Sequence, residues 1–326
     1  MATWNIIQAV NDALKVEMRR DPRVVVLGED VGKFGGVFRA TLGLIEEFGA
    51  ERVIDTPLAE AGIIGTAIGM AMYGLRPVPE IQFSDFIFPG FDQIVSELAK
   101  LRYRSGGHYT APVVIRTPVG GGIKGGHYHS QSPEALFIHT PGLQVICPSN
   151  PRDAKGLLLS AIRGDDPVIF MEPKRVYRAA RGEVPDGDYT IPIGVARTVR
   201  QGRGLTVIGW GAMLHEAELA CTQVAEAGLD PELIDLRTLW PLDIEAITTS
   251  VRKTGRCAIV QEAPRTCGLA AEISSLIQER CFTSLEAPIL RITGWDTPFP
   301  YTLENEYLPL APRIAKGLKD LAAYQA

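Results

Sequence analysis

Arg52-Val53-Ile54-Asp55-Thr56-Pro57-Leu58-Ala59-Glu60-Ala61-Gly62-Ile63-Ile64-Gly65-Thr66-Ala67-Ile68-Gly69 is the stretch from which the fold reads outward. A short β-branched run at 52–54 passes through a polar, proline-bearing turn into an apolar helical pattern, so a strand leads into a helix. Glu60 therefore opens a helix just beyond the carboxyl end of a strand. A negative charge there gains about 0.3–1 kcal/mol from the helix dipole, enough to explain a glutamate with no other duty. Gly62, Gly65 and Gly69, spaced by three and four, strip one face of the helix and admit a close neighbour, which puts Glu60 at a tight interface.

The same alternation recurs on both sides of this stretch. Apolar runs at 24–27, 52–54, 77–81, 113–117, 143–146 and 168–170 alternate with helical segments, beginning with an amphipathic one at 5–20. The expected fold class is α/β, with a doubly wound, mostly parallel sheet covered by helices on both faces. Between 178 and 194 the period fails among Gly182, Pro185, Asp186, Gly187 and Pro192. Strands at 205–209, 232–235, 257–261 and 288–292, with helices near 214–227, 243–254 and 269–280, then predict a second α/β domain. The expected division is 1–180, a linker at 181–195, and 196–326.

Charge and composition exclude several function classes. The 326 residues carry 33 Lys and Arg against 38 Asp and Glu, a net charge of −5 with no dense basic block, which argues against nucleic acid and anionic membranes. The longest apolar stretch, 61–75, is broken by four glycines and falls short of the roughly 18 residues of a membrane span. No secretory leader is legible at the N-terminus, so the expected compartment is the cytoplasm, or an organelle matrix if a leader has been removed. Cysteines 147, 221, 257, 267 and 281 form no C-x-x-C pair and are expected to be reduced and mostly buried.

Two motifs invite specific chemistry. Residues 120–125 fit G-x-G-x-x-G after a strand, but no helix opens at once and no acidic residue follows about 20 positions on, so they shape a loop rather than a dinucleotide site. His127 and His129 make an H-x-H pair with only His139 near in sequence, too few ligands for zinc. A histidine in such a loop suits proton transfer near neutrality, or a structural role, and the residues alone leave both open. No G-x-S-x-G elbow or nucleophilic cysteine context marks a hydrolase.

An ordered series of segments carries a resemblance. Gly28-Glu29-Asp30-Val31, Gly35-Gly36-Val37-Phe38-Arg39, Asp55-Thr56-Pro57-Leu58-Ala59-Glu60, Glu80-Ile81-Gln82-Phe83, Phe91-Asp92-Gln93, Tyr103-Arg104-Ser105-Gly106 and His129-Ser130-Gln131-Ser132-Pro133-Glu134 resemble the β subunit of the decarboxylase component of 2-oxoacid dehydrogenase complexes. Tyr128 to Ala135, Glu172-Pro173-Lys174 with Tyr177-Arg178, and Gly294-Trp295-Asp296-Thr297-Pro298 resemble the branched-chain, 2-oxoisovalerate type; pyruvate and acetoin dehydrogenases are the nearest alternatives. A non-catalytic assembly subunit is a further reading, opposed by the retention of Glu60 and His129.

The resemblance implies a pyrimidine-type thiamine-diphosphate-binding domain followed by a transketolase C-terminal-like α/β domain. It implies that Glu60 is the carboxylate bonded to the aminopyrimidine of thiamine diphosphate, and that His129 orients the substrate carboxylate or moves a proton during acyl transfer to a lipoyl group. Glu29, Leu58, Ala59, Gln82, Phe86, Ile87, Phe88 and Pro89 would line the coenzyme, and Phe83, Ser84, Asp85, Phe86 and His129 the 2-oxoacid. Many branched-chain members carry Tyr where this chain has Phe86, so a hydroxyl contact is lost. A K+ ion is implied at Ala111, Val113, Val114, Ala161, Gly164 and Asp166. The chain lacks the Gly-Asp-Gly motif that holds Mg2+ and the diphosphate. The implied partners are an α subunit in an α2β2 heterotetramer and a dihydrolipoyl acyltransferase core with its lipoyl domain.

Overall fold

The computed structural model describes residues 2–325. The first helix, Ile6–Arg20, is set by a capping box: Gln8 N donates to Asn5 Oδ1 at 2.9 Å and Asn5 N to Gln8 Oε1 at 3.0 Å. Its apolar stripe, including Ile6, Val10, Leu14 and Met18, packs on the helix Pro151–Arg163, which starts at an Asn150 cap with Pro151 in its first turn.

Strands such as Val24–Gly28 and Val168–Pro173 are buried at every position, as expected of parallel strands covered on both faces. The first sheet runs Thr238–Trp240, Gln144–Ile146, Val168–Pro173, Val114–Val119, Arg76–Glu80, Val24–Gly28, Val53–Asp55. All neighbours are parallel except the first pair. The second sheet runs Leu290–Gly294, Cys257–Pro264, Leu205–Gly209, Pro231–Asp235, Arg197–Arg200, parallel but for its last strand.

Four strands lie where the sequence pattern predicts none. Ala2–Asn5 pairs antiparallel with Arg181–Val184, so the stretch that reads as a linker begins as half of a two-stranded ribbon. Arg197–Arg200 is a charged edge strand. Thr238–Trp240 leaves the second domain's sequence and closes the edge of the first sheet, pairing with Gln144–Ile146. The two halves are stitched further by Ser149 Oγ donating to Asp235 Oδ2 at 2.5 Å and Arg237 Nη1 to Asp153 Oδ1 at 3.3 Å. All five cysteines are free thiols, four buried and Cys267 exposed. No helix among the described residues is long and apolar enough to cross a membrane.

Candidate active site

The first sheet switches direction at Val24–Gly28, which pairs with Val53–Asp55 on one side and Arg76–Glu80 on the other. A crevice opens beyond the carboxyl ends of strands at such a switch point. Three expected site residues follow those three ends: Glu29 after the first strand, Glu60 at the start of the helix Glu60–Met72, and Gln82 after Arg76–Glu80. Gly28, at φ +152°, lets the strands close up, since a Cβ there would stand 2.6 Å from Glu80 O.

Glu60 is only 7% exposed, yet its carboxyl enters no hydrogen bond or ion pair within the described chain. Burial raises the pKa of neighbouring Glu29, and the charges of Glu60 and then Asp30 raise it further. Two carboxyl groups thus face one crevice, and the charge of Glu60 opposes the ionisation of Glu29. Gly90 presses on the backbone of Glu60, where a Cβ would lie 3.2 Å from Glu60 O and from Ile64 Cγ1. Leu58, Ala59, Phe88 and Pro89 are exposed around this point, whereas Ile87 is packed in the core. Gln82 Nε2 reaches Glu29 O at a long 3.5 Å. A carboxyl on a largely buried residue, with no donor from its own chain and its oxygens still reachable, fits a donor from outside the chain, such as the ring N–H of an aminopyrimidine in its imino form.

His129 sits on the loop that follows Val114–Val119. Its ring meets Phe83 edge-on at 4.5 Å between centroids and Phe86 at 5.3 Å. Phe83 in turn packs on Phe86 and on Phe38. Gly125 leaves room for this placement, since a Cβ there would meet His129 Cβ. The segment 83–90 therefore runs from the histidine to the backbone of Glu60. Ser84 and Asp85 do not line an open surface: both are buried, Ser84 Oγ donates to Gln131 O at 3.0 Å, and Asp85 Oδ1 accepts from Gln131 N at 3.1 Å. They fasten the loop.

Beneath the crevice lies a buried ionic group that the sequence did not announce. Arg116 donates to Glu80 Oε2 at 2.8 Å and to both oxygens of Glu172 at 2.7 and 3.0 Å, and Tyr177 Oη also donates to Glu172. Burial opposes the Arg116 charge, but Glu172 and Glu80 outweigh it and hold its pKa above the ordinary value.

The six residues expected around a monovalent cation come together, with Ala111 N donating to Asp165 O at 3.0 Å. Their donor set is only partly free. The carbonyls of Ala111, Val113 and Ala161 already accept from Val113, Val168 and Gly164 N–H groups, that of Gly164 accepts from Arg76, and Asp166 pairs with Arg102 at 2.6 Å. As arranged, a cation would have to share the second lone pairs of these carbonyls and draw Asp166 away from Arg102.

The sequence reading also missed Lys174, Glu262 and Glu304, which converge behind Phe83 and the glycine-rich loop. Only Lys174 had any signal, as part of the Glu172-Pro173-Lys174 pattern.

Comparison with known proteins agrees with this architecture. The family model described as "Transketolase, pyrimidine binding domain" matches residues 2–180, and "Transketolase, C-terminal domain" matches 194–314. The "2-oxoisovalerate dehydrogenase subunit beta, mitochondrial" of Dictyostelium discoideum is 57% identical, with 98% of this chain and 87% of that protein covered. The "2-oxoisovalerate dehydrogenase subunit beta" of Pseudomonas aeruginosa is 51% identical over 98% and 95% of the two chains. The "Pyruvate dehydrogenase E1 component subunit beta" of Bacillus subtilis is 50% identical over 95% of each. A solved structure titled "Split gene transketolase, inactive beta4 tetramer" shares the fold, with a TM-score of 0.82 at 21% identity over 99% of both chains. With two transketolase-type domains and relatives of this identity over nearly its whole length, the chain belongs to the β-subunit family of the thiamine-diphosphate-dependent 2-oxoacid dehydrogenases.

Proposed function

We propose that this chain is the β subunit of a branched-chain 2-oxoacid dehydrogenase, which decarboxylates its substrate oxidatively and transfers the acyl group to a lipoyl group. The observation that carries the site reading is the buried, unbonded carboxyl of Glu60 beside Glu29, joined through segment 83–90 to a histidine walled by two phenylalanines. Thiamine diphosphate, when bound, supplies the electron sink for loss of carbon dioxide. Glu60 would hold a ring nitrogen of the aminopyrimidine in its N–H form and so favour the tautomer whose exocyclic imino nitrogen is basic. Leu58, Phe88 and Pro89, exposed beside Glu60, would supply apolar cover for that ring and exclude water from it. Phe83 and Phe86 give the acyl chain an apolar wall, and the imidazole of His129 orients the substrate carboxylate or passes a proton near neutrality.

The exposed margin of the site supports a second chain that completes it. This reading takes that chain as an α subunit in an α2β2 assembly, holding Mg2+ and the diphosphate, with the acyltransferase core and its lipoyl domain as further partners. Gly65 and Gly69 of the helix after Glu60 are exposed, and a Cβ on either would meet nothing within 4 Å, which leaves the face open for that contact. Five free thiols suit a reducing compartment, either cytoplasm or organelle matrix. A dependence of turnover on K+ would test the cation at Ala111, Val113, Val114, Ala161, Gly164 and Asp166.

Pyruvate is the competing substrate: in Bacillus subtilis the pyruvate enzyme's β subunit is 50% identical and the 2-oxoisovalerate enzyme's 48%. The test is reconstitution with the α chain, thiamine diphosphate and magnesium, comparing 2-oxoisovalerate with pyruvate using an artificial electron acceptor. Preference for 2-oxoisovalerate is expected, and a clear pyruvate preference overturns the branched-chain assignment. Unchanged turnover in Glu60→Ala overturns the coenzyme role.

A further inference from the structure

Lys174 follows directly on the strand Val168–Pro173 and is only 5% exposed, yet its Nζ has no hydrogen-bond partner in the described chain. The ammonium lies over the ring of Phe83, 5.6 Å from its centroid, and the same ring packs against His129. Asp85, Glu262 and Glu304, all three buried, lie near enough to act on its charge, although none is paired with it directly.

Each of these carboxylates is tied to the loop that carries His129. Glu262, near the end of the strand Cys257–Pro264, accepts the N–H of Gly121. Glu304, at the start of the helix Glu304–Tyr307, accepts from Gly122 at 3.0 Å and Lys124 at 2.9 Å. Asp85 accepts from Gln131 at 3.1 Å. The second domain thus grips one end of the loop and the first domain the other. Lys174 is the cation common to all three, with Arg175 acting on Glu262 as well, and charge-assisted hydrogen bonds such as these are the strong ones.

We propose that Lys174 is a positioning residue for His129: its buried, unpartnered ammonium, set over the Phe83 ring that the imidazole packs on, balances the carboxylates Asp85, Glu262 and Glu304 that hold the loop 120–131 at both ends. This rests on the reading of His129 as the group that handles substrate. Burial lowers the pKa of Lys174 to about 8, against the pull of Asp85, Glu262 and Glu304, so the node still carries its charge at neutral pH.

The experiment compares native, Lys174→Met, Lys174→Arg, Glu304→Gln and His129→Ala chains in the reconstituted complex, reading hydrogen exchange of peptides across 120–131 together with kcat and KM. Lys174→Met keeps the apolar stem and removes the charge. It should speed exchange at Gly121, Gly122, Lys124 and Gln131 by about ten-fold, the factor that a charge-assisted hydrogen bond is worth, with strand Val114–Val119 unchanged. Lys174→Arg should restore protection and kcat, and Glu304→Gln should loosen Gly122 and Lys124 alone. Unchanged loop exchange in Lys174→Met overturns the proposal, as does a rise spread evenly over both sheets. Faster loop exchange with unchanged kcat would support the positioning role and remove His129 from the chemistry. His129→Ala should lose turnover with the loop still protected.

Discussion

Replacing Arg116 by Met tests whether the ionic group under the crevice is held by its one cation. Arg116, Glu80 and Glu172 are 1%, 3% and 0% exposed, so the substitution would strand two carboxylates in the core. Removing one partner of a buried pair costs about 3–5 kcal/mol, because the remaining charge has lost its solvent and its counter-ion together. Burial already outweighs Arg116 and pushes the pKa of Glu80 upward, so Glu80 is the carboxyl that would take a proton and limit the loss. At about 2–4 °C per kcal/mol, Tm should fall by about 6–20 °C. Thermal and urea unfolding followed by circular dichroism would measure this, with the native far-ultraviolet spectrum below the transition showing that the variant folds. The triple variant Arg116→Met, Glu80→Gln, Glu172→Gln, which leaves no buried charge, should recover at least half of the loss. A single variant within about 1 kcal/mol of the parent, the scale of an exposed pair, would refute the reasoning.

Three further outcomes follow from particular contacts. Gly142, at φ +104°, stands so close to the carbonyl oxygen of Ala99 that a Cβ would overlap it, so Gly142→Ala should lose about 2–4 kcal/mol of unfolding free energy in urea. Burial raises the pKa of Glu134 to about 8 from 4.5, so the folded chain keeps a proton that the unfolded chain gives up. Stability from this group is full below the unfolded value, falls as pH climbs toward 8 and then levels, so Glu134→Gln should gain Tm over the parent between pH 5 and 8 and hold a constant lead above it. Gly65→Leu adds a side chain where nothing lies within 4 Å, so the chain's own Tm should hold while sedimentation shows assembly with the α chain lost.

Legibility in the sequence followed the length and apolarity of each element. Strands such as 24–27 and 205–209 are continuous apolar runs and could be read within a residue or two of their observed bounds, Val24–Gly28 and Leu205–Gly209. Arg197–Arg200 could not, because an edge strand faces water with charges and shows no apolar period. Thr238–Trp240 has three residues and its hydrogen-bonding partner lies more than ninety positions earlier, beyond the reach of any local pattern. The site divided in the same way. Glu60 announced itself through its place between a strand and a glycine-faced helix. Lys174, Glu262 and Glu304 are single charged residues from distant elements, and only the packing of one domain on the other brings them together. Ser84 and Asp85 stand beside Phe83 and Phe86 in the sequence, but their polar atoms turn toward the backbone of Gln131.

The short ribbon Thr238–Trp240 also governs how this polypeptide is made. Until the ribosome has delivered residue 240, the earlier-made half presents Gln144–Ile146 as a raw border with unsatisfied amides, the kind of border that recruits other nascent chains. Cutting the gene at the apparent boundary near 190 would make that transient hazard permanent, and the truncated product should clump where the whole one stays dispersed.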